Sequence, residues 1–568
     1  MHALVHEGLA SAGEADVLVV FGDFPDLSGA AELSTKEEKA HYVFDALRQN
    51  ARRHAPLLAE LSRRGIAAEP LWIANAVHVP HADAATVAMA QRTAGVDRVA
   101  PVQQWRIDEL ERRAQTLPAH KRSARGAVPT WGVRDIGADR VWDLGVRGEG
   151  AVVAGGDTGY DWTHAALRPQ YRGTLAAGGA LDSVRHDYHW YDGVREAFPG
   201  TNDENPCGFG VEAPCDDGRH GTHTMGTIVG YDGPEHQIGV APEAAWMACR
   251  NMDRGNGTPT SYLNCFQFFL APTDLRGENP RPEMAPDVIA NSWYCPESEG
   301  CLPETYAAFD DAVAALRAAG VVVVVSAGNA GPGCNTINEI PARVPGAFAV
   351  GAHDSLGRIA SFSSRGSAAD GDTVRPDLTM PGVSVESSVP GDRYASFNGT
   401  SMAGPHAAGV VALMISANPA LRGRVDTIES MLRRSARPTA APDDGCGAPD
   451  GPEAGVPNYT FGYGRGFALR AVELARAYEA PDVSAVAAAA ALRFGVSPNP
   501  ARGYAEVALP EGLTGAELRV TDVTGRTLAL RRVGGERERL TTDGWPAGVY
   551  VVTVTSERGR VSEPLVVE

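Results

Sequence analysis

The first hundred residues alternate between short apolar runs and amphipathic helical patterns. Such runs are typical of buried strands, and they predict strands at 16–21, 70–73, 77–79 and 96–99. Ser34 and Glu37 have the spacing of a capping box, which predicts the start of a long amphipathic helix that ends near Arg64. A second helix is predicted over 83–92. This β-α-β-β-α-β order predicts a ferredoxin-like α+β domain over residues 14–102.

The hydrophobic pattern changes after this first domain. Ala151–Ala154 and Val321–Val325 are short, unbroken apolar runs, typical of strands that are covered on both faces. Helical patterns such as Thr305–Ala319 lie between runs of this kind. The alternation predicts an α/β domain over residues 129–478, with a mainly parallel sheet and helices on both faces. Ligands bind such sheets at the carboxyl ends of the strands, so we expect functional residues there.

Residues 398–414 read NGTSMAGPHAAGVVALM and predict a helix buried on all sides, because the apolar positions do not keep to one stripe. Gly399 brings Ser401 to the N-terminal end of this helix, where the macrodipole is positive. Pro405 is expected in the first turns, where a missing N–H costs least. The segment therefore favours a nucleophilic serine. The alternative is a core helix that Ser401 merely caps.

The end of the chain returns to a period of two. Alternating runs separated by turn residues predict a small β-sandwich over residues 494–568. The predicted strands are 505–509, 518–522, 527–533, 537–541, 548–555 and 561–567. An Ala-rich stretch lies in the predicted linker 479–493.

A second predicted linker, 103–128, is charged and interrupted by Pro and Gly. Its Lys121, Arg122 and Arg125 would attract a trypsin-like enzyme. The alternative interpretation of this stretch is a solvated tether that is never cut.

Bulk composition excludes several classes of protein. The 568-residue chain has a net charge of −19 and no basic block, which argues against nucleic acid as a partner. No apolar run approaches the ~20 residues that span a bilayer. Residues 1–16 show neither the cationic nor the apolar part of a signal peptide. We expect a monomer.

All eight cysteines lie in the predicted α/β domain, and none forms a Cys-x-x-Cys motif, so a zinc site is improbable. Their even number and their polar, Pro/Gly-rich surroundings favour disulfides over reduced thiols. Short spacings pair Cys207 with Cys215, Cys249 with Cys265, and Cys295 with Cys301, although eight cysteines allow 105 connectivities.

Four polar residues follow strand ends or open helices, each beside glycine. They are Asp157, His220, Asn329 and Ser401. His220 can take the serine proton and return it to a leaving amine, and Asp157 can fix the histidine tautomer. The side chain of Asn329 and the backbone N–H of Ser401 can donate to an oxyanion.

These four segments, in this order, resemble the subtilisin-like serine proteases (subtilases). The resemblance covers residues 130–478, and it implies proteolysis of protein or peptide substrates through an acyl-enzyme, with no cofactor required for the chemistry. The 249–272 stretch, APDVIANSW and the Cys295/Cys301 loop are similar to the bacillopeptidase F-like subtilases.

The same resemblance implies a substrate-binding segment at Ser292, Trp293 and Tyr294, facing a second segment at Ala327 and Gly328. The family usually has glycine where Tyr294 stands. A phenol ring there could narrow the S1 pocket or reshape a neighbouring subsite, so the P1 preference does not carry over.

An acidic loop precedes His220 and contains Asp203, Glu204, Asp216 and Asp217. Its oxygens suit calcium, which subtilases often bind as a structural ion. The alternative is a solvated acidic face, because the spacing matches no known loop motif.

The flanking domains acquire roles from the same resemblance. Subtilases commonly carry a β-α-β-β-α-β prodomain that inhibits the enzyme and is cut off, and residues 14–102 fit this role, with cleavage expected in 103–128. The pattern SPNP…VTDVTGRTL…WPAGVYVVTV resembles C-terminal sorting domains of the type IX secretion system. Those domains usually end in a basic residue, whereas this chain ends at Glu568.

The sequence thus predicts a secreted or cell-surface serine endopeptidase, made as a zymogen and exported by the type IX machinery. Two rival functions stay open. One is a surface binding protein with an inactive protease fold, and the other is an esterase with the same acyl chemistry.

Overall fold

The structure of the protein is a computed structural model. It describes residues 5, 9–10, 12–102, 120–121, 128–176, 184–198, 204–234, 236–296, 301–371, 373–441, 444–448, 455–479, 494–510, 513, 515–522, 526–556 and 559–567. Most of both predicted linkers, together with Asp203, lies outside these residues. The chain divides into two compact units, Met1–Tyr478 and Glu479–Glu568.

The N-terminal part of the first unit forms the predicted ferredoxin-like domain. Its strands are β1 (Glu14–Phe21), β2 (Glu69–Leu71), β3 (Ala76–Asp83) and β4 (Val96–Pro101), and its helices are α1 (Lys36–Asn50), α2 (Ala55–Arg63) and α3 (Ala84–Arg92). The antiparallel sheet has the order β2-β3-β1-β4, which confirms the ferredoxin-like fold.

Two details of the first helix differ from the prediction. The capping box is one residue further on, because Thr35 is the N-cap and Glu38 is its partner. The predicted single helix is interrupted by a 3₁₀ turn at Ala51–His54. Pro56 then lies in the first turn of α2, a position that proline tolerates but that does not continue a preceding helix.

A parallel sheet of seven strands organises the middle of the chain. The strands of this region are β5 (His120–Lys121), β6 (Val152–Asp157), β7 (Trp190–Asp192), β8 (Ala245–Arg250), β9 (Met252–Asp253), β10 (Asn256–Gly257), β11 (Val288–Asn291), β12 (Val322–Ser326), β13 (Phe348–His353), β14 (Gly366–Ser367), β15 (Val374–Arg375), β16 (Leu378–Pro381), β17 (Val385–Val389) and β18 (Arg393–Phe397). The order of the sheet is β16-β13-β12-β11-β6-β8-β7, and every neighbouring pair is parallel. The remaining short strands form separate sheets of two or three strands.

Helices cover both faces of this sheet, as the sequence predicts. They are α4 (Trp131–Asp135), α5 (Ala138–Asp143), α6 (Arg172–Ala176), α7 (His220–Val229), α8 (Pro259–Leu270), α9 (Pro303–Ala318), α10 (Thr400–Ala417), α11 (Val425–Ser435) and α12 (Ala468–Arg476). Side chains of α7 and α10 pack in one core cluster, and those of α8 and α9 pack in another. The strands between them carry Val and Ile on both faces for this reason.

Helix α10 is the central element of the first core cluster. It is the one helix among the described residues that is long and apolar enough to cross a membrane, but 83% of that stretch is buried inside the fold. Gly399 precedes it with φ 152°, a backbone conformation that other residues rarely adopt. The sharp entry leaves Ser401 half-buried at the end of a helix whose other early residues are buried.

The ferredoxin-like domain shares a hydrophobic core with α8 and α9. Trp72 and Val20 belong to the same buried cluster as Phe266 and Phe309. At the edge of this contact the Lys36 ammonium donates to the Ala285 carbonyl at 2.6 Å and to Asp287 Oδ1 at 3.1 Å. An apolar interface of this kind is stabilised chiefly by removal of its surface from water.

The second unit is an antiparallel sandwich, as predicted. Three of its strands form one sheet, in the order β19-β20-β23, and four form the other, in the order β22-β21-β24-β25. The strands are β19 (Gly495–Ser497), β20 (Tyr504–Ala508), β21 (Glu517–Asp522), β22 (Thr527–Arg532), β23 (Arg537–Thr541), β24 (Gly548–Ser556) and β25 (Gly559–Val567). Val507, Leu518 and Val552 are fully buried in one core, because alternate residues of each strand face inward.

Candidate active site

Asp157 and His220 form a buried acid–imidazole pair at the carboxyl end of β6. His220 Nδ1 lies 2.8 Å and 3.0 Å from the two oxygens of Asp157. The carboxylate also accepts the Thr158 N–H at 2.7 Å and the Thr224 hydroxyl at 3.3 Å. Asp157 is 1% exposed, so its partners fix its position. The imidazole is thereby oriented with Nδ1 toward the acid and Nε2 directed away from it.

Ser401 is the second residue of α10, which packs against α7 and therefore against the helix that His220 opens. Its hydroxyl donates to the Ser292 carbonyl at 3.3 Å, and the Ser292 hydroxyl donates to the Ser401 carbonyl at 2.9 Å. This reciprocal pair joins the start of α10 to the residue that follows β11.

Pro405 explains why the Ser401 carbonyl can accept that bond. Pro405 is expected in the first turns of the helix, where a missing N–H costs least. It instead lies inside α10, where that N–H would have a helical partner. An α-helical N–H at position 405 would bond to the carbonyl of residue 401, and proline has none. Ser292 uses the carbonyl that proline leaves without a helical partner.

Asn329 is exposed three residues after β12 ends, and its amide orientation is fixed by Thr400. Its Oδ1 accepts the Thr400 N–H at 2.9 Å and the Thr400 hydroxyl at 3.0 Å. The Thr400 hydroxyl in turn accepts the Gly328 N–H at 3.2 Å. Because the backbone donor requires oxygen on this side, the Nδ2 hydrogens of Asn329 are directed elsewhere and can donate to a developing oxyanion.

The two predicted substrate-binding segments follow β11 and β12. Ala327 and Trp293 are buried, and Tyr294 is half-buried. The Trp293 ring is stacked on Tyr262 with 3.8 Å between centroids. It therefore packs in the core, and only its backbone can contact a substrate. Gly328 has φ 105°, and a Cβ there would lie 2.9 Å from the Ser364 hydroxyl oxygen, so a residue with a side chain is strained there.

Three other histidines near the site make contacts with backbone groups. His223 Nε2 lies 3.1 Å from two carbonyl oxygens, and burial lowers the pKa of its imidazole to about 3. His406 Nδ1 lies 2.8 Å from the Met402 carbonyl, and burial lowers its pKa to about 4. His164 Nε2 lies 3.0 Å from the Arg393 carbonyl.

The structure contains the three disulfides that the short spacings predict, Cys207–Cys215, Cys249–Cys265 and Cys295–Cys301. A fourth, Cys334–Cys446, joins residues far apart in the chain. Sequence spacing could not identify this pair except by elimination. Each disulfide lies close in sequence to an element of this region. Cys207–Cys215 precedes His220, Cys249 lies in β8, Cys295–Cys301 follows β11, and Cys334 follows Asn329.

In the acidic loop before His220, Glu204 is exposed, whereas Asp216 and Asp217 bind other parts of the protein. The Asp217 side chain is fully buried, and it accepts from Asn205 Nδ2 at 2.6 Å and from the Arg254 N–H at 3.0 Å. Burial raises its pKa to about 7. Among the residues that the structure describes, no three His, Cys, Asp or Glu side chains are grouped so as to hold a metal ion.

Several residues that support the site were not singled out from sequence. Thr400 holds Asn329, and both Thr158 and Thr224 donate to the Asp157 carboxylate. Each lies one to four residues from a predicted functional residue in the sequence, and this proximity could have indicated its supporting role. A serine hydroxyl at the start of a helix, an imidazole paired with a carboxylate and a fixed amide are the groups that serine hydrolases with a Ser-His-Asp triad combine.

Comparison with known proteins agrees with this class. Residues 148–464 match the subtilase family, and residues 495–568 match the secretion system C-terminal sorting domain. Bacillopeptidase F of Bacillus subtilis is 40% identical over 314 residues, which are 54% of this chain and 20% of that protein. The subtilisin of Bacillus pumilus is 33% identical over 253 residues, which are 43% of this chain and 82% of that protein.

The chain belongs to the subtilase family of serine peptidases. The matched region contains the whole parallel sheet from β6 to β16 and the four predicted site residues Asp157, His220, Asn329 and Ser401. The chain spans about a fifth of the length of bacillopeptidase F, so that relative's full activity is not transferred to it.

Proposed function

We propose that this protein is a serine endopeptidase, with Ser401 as nucleophile, His220 as general base and acid, Asp157 as the residue that orients it, and Asn329 in the oxyanion hole. The observation that carries the proposal is the buried Asp157–His220 pair, 2.8 Å apart, beside a helix that presents a half-buried serine.

The proposed chemistry gives each of these groups a role. His220 Nε2 takes the Ser401 proton as Oγ attacks the scissile carbonyl carbon, and Asp157 stabilises the imidazolium that forms. The oxyanion receives the Asn329 amide and the Ser401 backbone N–H. His220 then gives the proton to the leaving amine, and water, activated by the same base, releases the acyl group. No cofactor takes part in these steps.

Hydrolysis of casein tests the proposal, with Ser401→Ala as the matched variant. Turnover should fall by roughly 10⁶, the scale known for the subtilisin triad. Activity of that variant near the wild-type value would refute the assignment of Ser401. A short-chain ester assayed beside casein separates an endopeptidase from an esterase. An inactive binding protein would show neither activity.

We also propose that residues 14–102 are an inhibitory prodomain. Support comes from the core that this domain shares with α8 and α9. In addition, His120–Lys121 pairs antiparallel with Arg393–Tyr394 of β18, a strand that ends shortly before Ser401. N-terminal sequencing of the purified enzyme should find a mature start within 103–128. A mature protein that begins before residue 100 would contradict the proposal.

Export is proposed from the C-terminal unit. A sandwich that matches secretion-system sorting domains, together with four disulfides, supports an extracellular or cell-surface location reached through the type IX machinery. Fusion of residues 494–568 to a reporter in a type IX-competent host should place the reporter outside the cell, and periplasmic retention would contradict it.

Tyr294 is proposed to determine substrate preference near the scissile bond. It is half-buried, two residues after Ser292, which holds the start of α10. Peptide-library cleavage by the wild type and by Tyr294→Gly should show a broader P1 preference for the glycine variant. An unchanged cleavage profile would show that Tyr294 does not line the S1 pocket.

A further inference from the structure

Asp216 is a carboxylate with five hydrogen-bond donors and no function yet assigned. Its Oδ1 accepts the Thr158 hydroxyl at 2.8 Å, the Gly218 N–H at 2.9 Å and the Arg219 N–H at 2.8 Å. Its Oδ2 accepts the Thr222 N–H at 2.9 Å and the Thr222 hydroxyl at 2.5 Å. Three of these donors are backbone groups, which cannot reverse their direction.

The two hydroxyls donate to Asp216, and each hydroxyl oxygen also accepts one backbone N–H. Thr158 Oγ1 accepts the Gly221 N–H at 3.1 Å, and Thr222 Oγ1 accepts the Asp161 N–H at 2.9 Å. Burial raises the pKa of Asp216, and its hydrogen-bond donors act in the opposite direction. Five donors converge on the two oxygens of Asp216, and hydrogen bonds of this kind favour the charged carboxylate.

The donors belong to two different parts of the site. Thr158 follows Asp157 directly and donates its N–H to the Asp157 carboxylate. Gly218, Arg219 and Thr222 surround His220, and Arg219 has φ 73°, which is uncommon for a residue with a side chain. Asp216 therefore ties the Asp157 segment to the turn that opens α7.

We propose, on the basis of the proposed function, that Asp216 is a positioning residue that fixes His220 against Asp157. It touches no reacting atom and acts through Thr158 and the turn at 218–222. Its partner in sequence, Asp217, binds Asn205 and Arg250 instead and belongs to another network.

Asp216→Asn is the direct test. Asparagine keeps the shape of aspartate but replaces one carboxylate oxygen with an NH₂ group. This group faces three hydrogen-bond donors in one orientation and two in the other, and it cannot accept from them. Because a misplacement of ~1 Å at a catalytic group can cost about 100-fold, kcat should fall about 100-fold, and KM should change less than threefold. Binding of substrate does not require the His220 orientation.

Asp274→Asn is the matched control. Asp274 accepts the Arg276 and Glu278 N–H groups and the Asn279 amide within its own loop, which carries no residue of the proposed site. This variant loses a comparable set of hydrogen bonds, and kcat should stay within threefold of the wild-type value.

Labelling by a fluorophosphonate separates positioning from folding. The Asp216→Asn enzyme should reach one label per molecule, as the wild type does, at a rate about 100-fold lower. A rate within threefold of the wild-type rate would overturn the proposal. If the wild type itself is not labelled, the proposed function fails and the positioning proposal fails with it.

A second pair of variants decides the matter if Asp216→Asn does not fold. Thr158→Val removes one donor to Asp216 and the acceptor of the Gly221 N–H, whereas Thr158→Ser restores the hydroxyl. Labelling should be about tenfold faster in the serine variant than in the valine variant. Equal rates in the two variants would overturn the proposal.

Discussion

Replacement of Thr400 by valine tests how the Asn329 amide is held. Valine has nearly the same shape as threonine but lacks the hydroxyl that donates to Asn329 Oδ1 at 3.0 Å and accepts the Gly328 N–H at 3.2 Å. The Thr400 N–H, at 2.9 Å from the same oxygen, remains. Asn329 therefore keeps one of its two bonds to Thr400, and the Gly328 N–H loses its partner.

The size of the effect follows from these contacts. One hydrogen bond is worth ~1 kcal/mol, and an unpaired N–H costs ~1–3 kcal/mol. If half of this cost reaches the transition state through a looser Asn329 amide, the loss is ~1–2 kcal/mol, or about 5- to 30-fold in kcat. KM should stay unchanged, because the oxyanion exists only after attack.

Steady-state hydrolysis of a chromogenic peptide, with Thr400→Ser as the control that keeps the hydroxyl, measures this effect. A thermal melt of each variant in a Ser401→Ala background confirms folding without autolysis. If the valine variant has a kcat within twofold of the serine variant, the Thr400 hydroxyl does not position Asn329.

Three further predictions concern the oxyanion hole, pH and the disulfides. Asn329→Leu should lower kcat by about 10²–10³ with KM unchanged, the cost of one oxyanion donor; an equal rise in KM would point to substrate binding instead. Burial raises the pKa of Asp311 to about 7, so the fold binds more protons than the unfolded chain and loses stability as pH rises through 7. Asp311→Asn should therefore raise the melting temperature more at pH 8 than at pH 5, and an equal gain at both would contradict this sign. Cys334–Cys446 and Cys207–Cys215 have sequence separations of 112 and 8, which correspond to about 5 and about 2.5 kcal/mol of loop-closure entropy. Replacement of the first pair by serine should lower the melting temperature more than replacement of the second, and the reverse order would refute the entropic argument.

Local patterns were sufficient to predict most elements of this fold. The β-branched runs at β6 and β12 are covered on both faces, and their unbroken apolar character, together with the helical patterns between such runs, predicted a parallel sheet. The alternation after 494 likewise matched the strands of the sandwich, because a period of two distinguishes an inward from an outward face. Each of these features depends on a residue and its near neighbours in sequence.

Features that depend on distant contacts could not be predicted in this way. Pro405 leaves the Ser401 carbonyl without a helical partner, and the Ser292 hydroxyl donates to this carbonyl instead. Ser292 follows β11 and is distant in sequence, so a local pattern could not predict this bond. Trp293 stood in a substrate-binding motif, yet its ring stacks on Tyr262 of α8. The sequence identified Asp216 only as a member of an acidic loop, because the backbone N–H groups that donate to it are brought together only by the folded turn.

The central claim is that Ser401 is an activated nucleophile. Reaction of the purified full chain with a fluorophosphonate, followed by peptide mapping by mass spectrometry, should place one phosphonyl group on the Ser401 peptide. Ser401→Ala should take up no label, and His220→Ala should label far more slowly. A wild-type enzyme that digests casein but carries the label on another serine, or none at all, would contradict the account.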